Sequence, residues 1–168
     1  MNAEPAGPAA GRDERSAIPG VRDLDHVGLN VPDLDQAVEF FTRRLGADVV
    51  FRLERFADPD GGSLTRLGAP ATASLELAML ALGAGRLELL HWEDGSPTTA
   101  PPGAADTGGS HVAVEVADVR SALADLRAVP GVRVLGEPVT FTAGPTPGLT
   151  NAFATTPWGA LLELVSWG

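Results

Sequence analysis

One block of this sequence occurs twice, and that repeat limits the possible folds more than any other feature. Asp25-His26-Val27-Gly28-Leu29-Asn30-Val31-Pro32-Asp33-Leu34 aligns without a gap on Ser110-His111-Val112-Ala113-Val114-Glu115-Val116-Ala117-Asp118-Val119, at an offset of 85 residues. The same offset carries Leu45-Gly46 onto Pro130-Gly131 and Val49 onto Val134. Further on, Leu87-Glu88-Leu89-Leu90-His91-Trp92 matches Leu162-Glu163-Leu164-Val165-Ser166-Trp167 at an offset of 75, so the second copy is ten residues shorter between its matched blocks. Self-similarity over this length describes one supersecondary unit used twice.

Residue periodicity gives the unit its shape. Residues 26–31 and 111–116 alternate branched apolar residues with small, polar or charged ones, the period of a half-buried strand. A helix follows each. In the first copy Asp33 is the expected cap, with Gln36 three residues on, and Leu34, Ala37, Val38, Phe41 and Leu45 form the apolar stripe up to Gly46. In the second copy Asp118 is the cap, Val119, Ala122, Leu126 and Val129 are the stripe, and Pro130-Gly131 is the stop. Three strand-like stretches come next: 48–56, 73–82 and 85–92 in the first copy, and 132–141, 150–155 and 160–167 in the second. Pro157 and Gly159 in Thr156-Pro157-Trp158-Gly159 occupy the second and fourth places of a type I turn, which makes the last two strands a hairpin. The fold class is therefore α+β, two βαβββ modules forming a cup-shaped mixed sheet. The expected boundaries are a disordered tail over 1–20, a first module over 21–92, a Pro- and Gly-rich linker over 93–109 and a second module over 110–168, together one functional domain.

Composition removes several classes of function. A chain of 168 residues, 44% hydrophobic, can bury about 68–70% of its unfolded surface and so build a real core. Its apolar runs, such as Ala78 to Leu82 and Leu161 to Val165, the latter broken by Glu163, are far short of the ~20 residues that span a bilayer. No membrane partner is expected. A formal charge of −10 repels phosphate backbones, which argues against nucleic acid. The absence of cysteine excludes disulfides, thiolate-bound metal and thiol catalysis. Residues 1–20 contain no continuous apolar segment of the signal-peptide kind, so a cytoplasmic location is expected.

Strand alternation then selects candidate ligands. His26 shares a face with Gly28 and Asn30, opposite Val27, Leu29 and Val31; His111 shares one with Ala113 and Glu115. The branched face packs on the helix, leaving both histidines on the inner wall of the cup. Glu88 and Glu163 each interrupt an apolar terminal strand, a costly place for a carboxylate unless it meets a polar cavity or a cation. A lone strand histidine is more often structural than ligating. Here two of three histidines and both Leu-Glu-Leu glutamates fall at equivalent places in the repeat, which packing alone does not explain. The expected centre is one divalent metal ion held by His26, Glu88, His111 and Glu163. Zinc, manganese, iron, cobalt, nickel and magnesium are not distinguished, and coordination positions remain for a substrate chelating through two oxygens. Either Glu163 or Glu88 can then serve as the catalytic base beside the carbonyl. His91, three residues after Glu88, should face away and act structurally. Asn30, Glu115, Trp158 and Trp167 stand between a place at the rim and ordinary packing, and Arg52-Leu53-Glu54-Arg55 reads as a solvated strand face.

These residues resemble the vicinal oxygen chelate superfamily, which includes glyoxalase I, methylmalonyl-CoA epimerase, fosfomycin-resistance proteins, extradiol dioxygenases and bleomycin-binding proteins. The resemblance covers residues 23–167 and is carried by Leu24 to Leu34, by Gly109-Ser110-His111-Val112-Ala113 and by Pro157-Trp158-Gly159-Ala160-Leu161-Leu162-Glu163-Leu164-Val165. It implies ligands from the first and last strands of each module, which here are His26, Glu88, His111 and Glu163. It also implies that dioxygenases and fosfomycin-type transferases use three protein ligands and that bleomycin-type binders lack them, so a fourth carboxylate at Glu88 points to the isomerase and lyase branches. The expected activity is an epimerase or isomerase acting on a small carbonyl-bearing polyol, ketose-like compound or acid; cyclitol epimerases of secondary metabolism fit. A glyoxalase-type lyase, a metal-free small-molecule binder and a dioxygenase are the alternatives. The closing turn has Thr156 and Trp158 where the family more usually has acidic residues, and no basic cluster suits glutathione or coenzyme A. A homodimer is the family-level expectation, with modules pairing within one chain or between two.

Overall fold

The computed structural model describes residues 18, 20–58, 62, 64–93 and 100–168. The expected tail lies outside the described residues except for positions 18 and 20, as do residues 94–99 of the expected linker. The described chain runs β1 (Val27–Asn30), α1 (Leu34–Leu45), β2 (Asp48–Ala57), β3 (Ser74–Leu82), β4 (Gly85–Glu93), β5 (His111–Glu115), α2 (Val119–Arg127), β6 (Arg133–Val134), β7 (Val139–Thr140), β8 (Leu149–Thr155) and β9 (Leu161–Trp167). The fold is α+β, with two mixed sheets of matching topology.

In the first sheet the order is β1-β4-β3-β2, with β1 parallel to β4 and the other pairings antiparallel. In the second the order is β5-β9-β8-β6, again with the opening strand parallel to the closing one. β1 and β5 are therefore edge strands. The expected strand over 132–141 is instead two short ladders, β6 and β7, both on β8. Gly136 takes a positive φ of 138° and Pro138 has no N–H to give, so pairing breaks between them.

Both helices start as the sequence implies. Asp33 Oδ1 accepts from the Gln36 N–H at 2.8 Å and Asp118 Oδ1 from the Ser121 N–H at 2.9 Å. Gly46 closes α1 in the left-handed region at φ 72°. α1 lies on the first sheet and α2 on the second, and one core runs through both layers, from Leu34, Ala37, Phe41, Leu80 and Leu89 to Val119, Leu123, Leu126, Leu162 and Leu164. The Thr156 to Gly159 turn closes with the Gly159 N–H on the Thr156 carbonyl at 2.9 Å. It carries Trp158 across to the first module, edge-on to Phe40 at a centroid distance of 5.5 Å.

Between β2 and β3, where the first module is the longer copy, residues 64–73 pack against the sheet. Leu64 is buried and packs with Leu75 and Leu77, joined by Phe56, Ala69, Leu90 and Trp92. Leu75, Leu77 and Trp92 are on the sheet face away from α1, so this second cluster walls one side of that open face.

Candidate functional site

Which face a side chain takes follows from register. Leu29 and Leu89 belong to the core under α1, so Gly28 and Glu88 point to the open side. His26, one residue before β1, reaches the same side and places its Nε2 3.5 Å from Glu88 Oε2. In the second module Leu162 and Leu164 are core, Glu163 faces outward, and His111 Nε2 lies 3.2 Å from Glu163 Oε2. Two donors that share a cation at ligand distances of about 2.0–2.2 Å are separated by roughly 3.0–3.5 Å, depending on geometry. Each His–Glu pair fits that spacing, with a borderline nitrogen and a hard oxygen suited to a divalent ion.

The structure joins His26 with Glu88 and His111 with Glu163, but it does not join the two pairs within one chain. Among the described residues no group of three or more His, Asp or Glu side chains is assembled that could hold a metal ion. The chain presents two separate His–Glu pairs, candidate half-sites, one on the open face of each sheet.

The half-sites differ in what stands behind them. In the first, His26 Nδ1 lies 2.7 Å from Asp25 Oδ1, with the Arg86 guanidinium 3.6 Å from the other Asp25 oxygen. The hydrogen bond to Asp25 raises the His26 pKa above its ordinary value, against the opposing effect of desolvation and with help from the Glu88 charge. The same bond lowers the Asp25 pKa. In the second, Asn151 Nδ2 donates to Glu163 Oε1 at 2.7 Å. The His111 ring packs edge-on to Phe153, which pairs directly with Glu163 across β8 and β9. Asp25 was open to notice as the residue preceding the histidine; Asn151 needs the β8–β9 register and has no signal in the repeat.

The other residues singled out from sequence take supporting places. His91 turns to the helix side, with Nδ1 3.1 Å from the Val31 carbonyl oxygen. Asn30 Oδ1 accepts from Trp92 Nε1 at 3.0 Å on the open side. Arg52 pairs with Asp35, and Arg55 with Glu76 and Glu93. Glu115 and Trp167 are exposed. A cavity of about 590 Å³ at the seam between modules is walled by Asn30, His91, Trp92, Pro101 and Trp158. Of the four candidate ligands only His111 reaches it, so the half-sites are features of the open faces and not of this cavity.

A family model described as the Glyoxalase/Bleomycin resistance protein/Dioxygenase superfamily matches residues 23–164. A protein from Actinomyces sp named 2-epi-5-epi-valiolone epimerase is 46% identical over 151 residues, 89% of this chain and 81% of that one. A glyoxalase family protein from Bacillus cereus superposes with a TM-score of 0.69 at 23% identity, over 90% of this chain and 98% of that one. A genomically encoded fosfomycin resistance protein from Listeria monocytogenes, solved with manganese(II) and sulfate, superposes with a TM-score of 0.56 at 13% identity, over 88% and 94%. These two structural likenesses concern the fold alone.

Proposed function

The chain belongs to the glyoxalase/bleomycin resistance protein/dioxygenase superfamily, and from that premise we propose that it is a metal-dependent epimerase inverting a carbon next to the carbonyl of a small cyclic polyol of the 2-epi-5-epi-valiolone class. The observation that carries this reading is the His–Glu pair that occurs once on the open face of each sheet at ligand spacing. The name of the relative at 46% identity supplies the substrate class.

In this reading His26, Glu88, His111 and Glu163 together hold one divalent ion. When bound, the ion supplies positive charge where the carbonyl oxygen gains negative charge. The chain's own residues do the rest. Epimerisation removes one proton from carbon and returns one to the opposite face, with no net change in atoms or electrons. One glutamate, Glu88 or Glu163, accepts the C–H proton while the electron pair of that bond moves toward the carbonyl. The other, protonated, gives a proton to the opposite face as the pair returns to carbon, and exchange with solvent resets both carboxyls.

Because the half-sites of one chain stay apart, the reading includes a homodimer. Among the described residues β1 and β5 each have one unpaired edge, and Phe51, Leu53, Val139 and Trp167 are exposed on the open faces through their register with Met79, Leu77, Asn151 and Leu149. A second copy related by two-fold symmetry would set the first half-site of each chain beside the second half-site of its partner, twice.

Incubation of the metal-loaded protein with 2-epi-5-epi-valiolone in deuterium oxide tests the reaction. One deuteron should enter at the carbon beside the carbonyl as the epimer forms. Glu88→Gln and Glu163→Gln should each slow this by about two orders of magnitude or more. Unchanged exchange in both variants would refute the assignment of the glutamates.

A further inference from the structure

We propose that Asn151 is a positioning residue that fixes the direction in which Glu163 presents its free oxygen to the ion. The inference rests on the metal-dependent reading above and adds a residue to it. Asn151 Nδ2 engages Glu163 Oε1, leaving Oε2 as the oxygen beside His111 Nε2. The Glu163 side chain is only 13% exposed, so water can do little to satisfy or orient it. A neutral amide suits this task. It holds one carboxylate oxygen without bringing a positive charge that would compete with the cation for the other.

The duplication supplies an internal control on whether the fold itself needs this residue. Asn151 pairs with Val165, two residues after Glu163; the corresponding partner of Leu90, two residues after Glu88, is Leu77. A leucine therefore holds the corresponding place in the first sheet, so strand pairing itself does not require the amide, and among the described residues Glu88 has no polar side-chain partner besides His26. The first module carries its second contact elsewhere, from Asp25 to the His26 ring, where the second module has Ser110. One half-site thus holds its imidazole and the other its carboxylate. Strand pairing does not call for that division, whereas outer partners of ligands commonly fix ring and carboxylate orientation.

The test is cobalt(II) binding to the full chain, read by chelator competition and by the visible absorption of the bound ion. Asn151→Leu should weaken cobalt binding about tenfold or more and alter the absorption spectrum, while the metal-free variant unfolds within a degree or two of the unsubstituted protein. Asn151→Ala is read in the same way should the leucine variant not fold. Binding within twofold of the parent and an unchanged spectrum would overturn the role of Asn151 and leave the metal site standing. A parent protein that takes up no cobalt would overturn both.

Discussion

His26 and His111 hold equivalent places in the repeat, yet among the described residues only the first has a carboxylate behind its ring. Its pKa is raised mainly by the hydrogen bond to Asp25, and in the metal-free protein the sign of the consequence is definite. A histidine pKa raised on folding adds stability below the ordinary histidine value, and the contribution disappears as pH rises through the raised value. Asp25 is lowered, so its contribution is present above the ordinary aspartate value and is lost as pH falls through the lowered one. The pair thus helps only in the window between those limits, and weakly, because both groups are exposed. Asp25→Asn should move the His26 pKa down toward its ordinary value in an NMR titration of the metal-free protein; a His26 titration that stays put would remove Asp25 as the cause. Gly28 makes a different demand. A Cβ there would stand 3.3 Å from Leu90 Cδ1 and 3.8 Å from Glu88 Oε2, whereas the equivalent Ala113 already carries one. Gly28→Ala should cost no more than about 1 kcal/mol in urea unfolding, since the tip of Leu90 can give, and leave the deuterium-exchange rate close to the parent's, since 3.8 Å from Glu88 is an ordinary contact distance. A rate reduced tenfold or more would show that the methyl displaces the Glu88 carboxylate.

At the level of elements, local chemistry made most of the fold legible. Asp33 and Asp118 each precede an apolar stripe, and both accept from the N–H three residues on. Asp118→Ala should cost about 1 kcal/mol in urea unfolding, within the usual range for losing such a cap; a loss under a few tenths would mean the α2 terminus is held by packing. The turn of Thr156 to Gly159 was likewise readable, because Pro and Gly satisfy backbone angles locally. What could not be read depends on neighbours distant in sequence. Phe40 lies outside the expected stripe of α1 and is buried because Trp158 arrives from the other module. Leu123 on α2 was missed in the same way, although it is 1% exposed. The stretch over 132–141 alternates well enough to suggest one strand, but alternation does not register the missing N–H of Pro138. The four candidate ligands were visible because duplication marks them. Asn151 was not, since the contact it makes is set by cross-strand register alone.

At the scale of the whole molecule, the sequence repeat implies two walls but not which walls face each other. Within one chain the two layers share a core that runs from under α1 to under α2, and Trp158 of the second module is fastened to Phe40 of the first. That shared core leaves each His–Glu pair on its own open face, so joining the pairs within a chain would mean taking it apart. Pairing between chains needs no such change, and it has a consequence that single-chain pairing lacks. Let one chain carry Glu88→Gln and another Glu163→Gln, each inactive as a homodimer. In the mixed dimer of the proposed arrangement one interface receives both substitutions, while the other receives Glu88 and Glu163 intact from opposite chains. Co-expression should therefore restore about a quarter of the parent's exchange activity, given random assortment of the two chains. If each centre were built within one chain, every centre in the mixture would carry one substitution, and mixing would restore nothing.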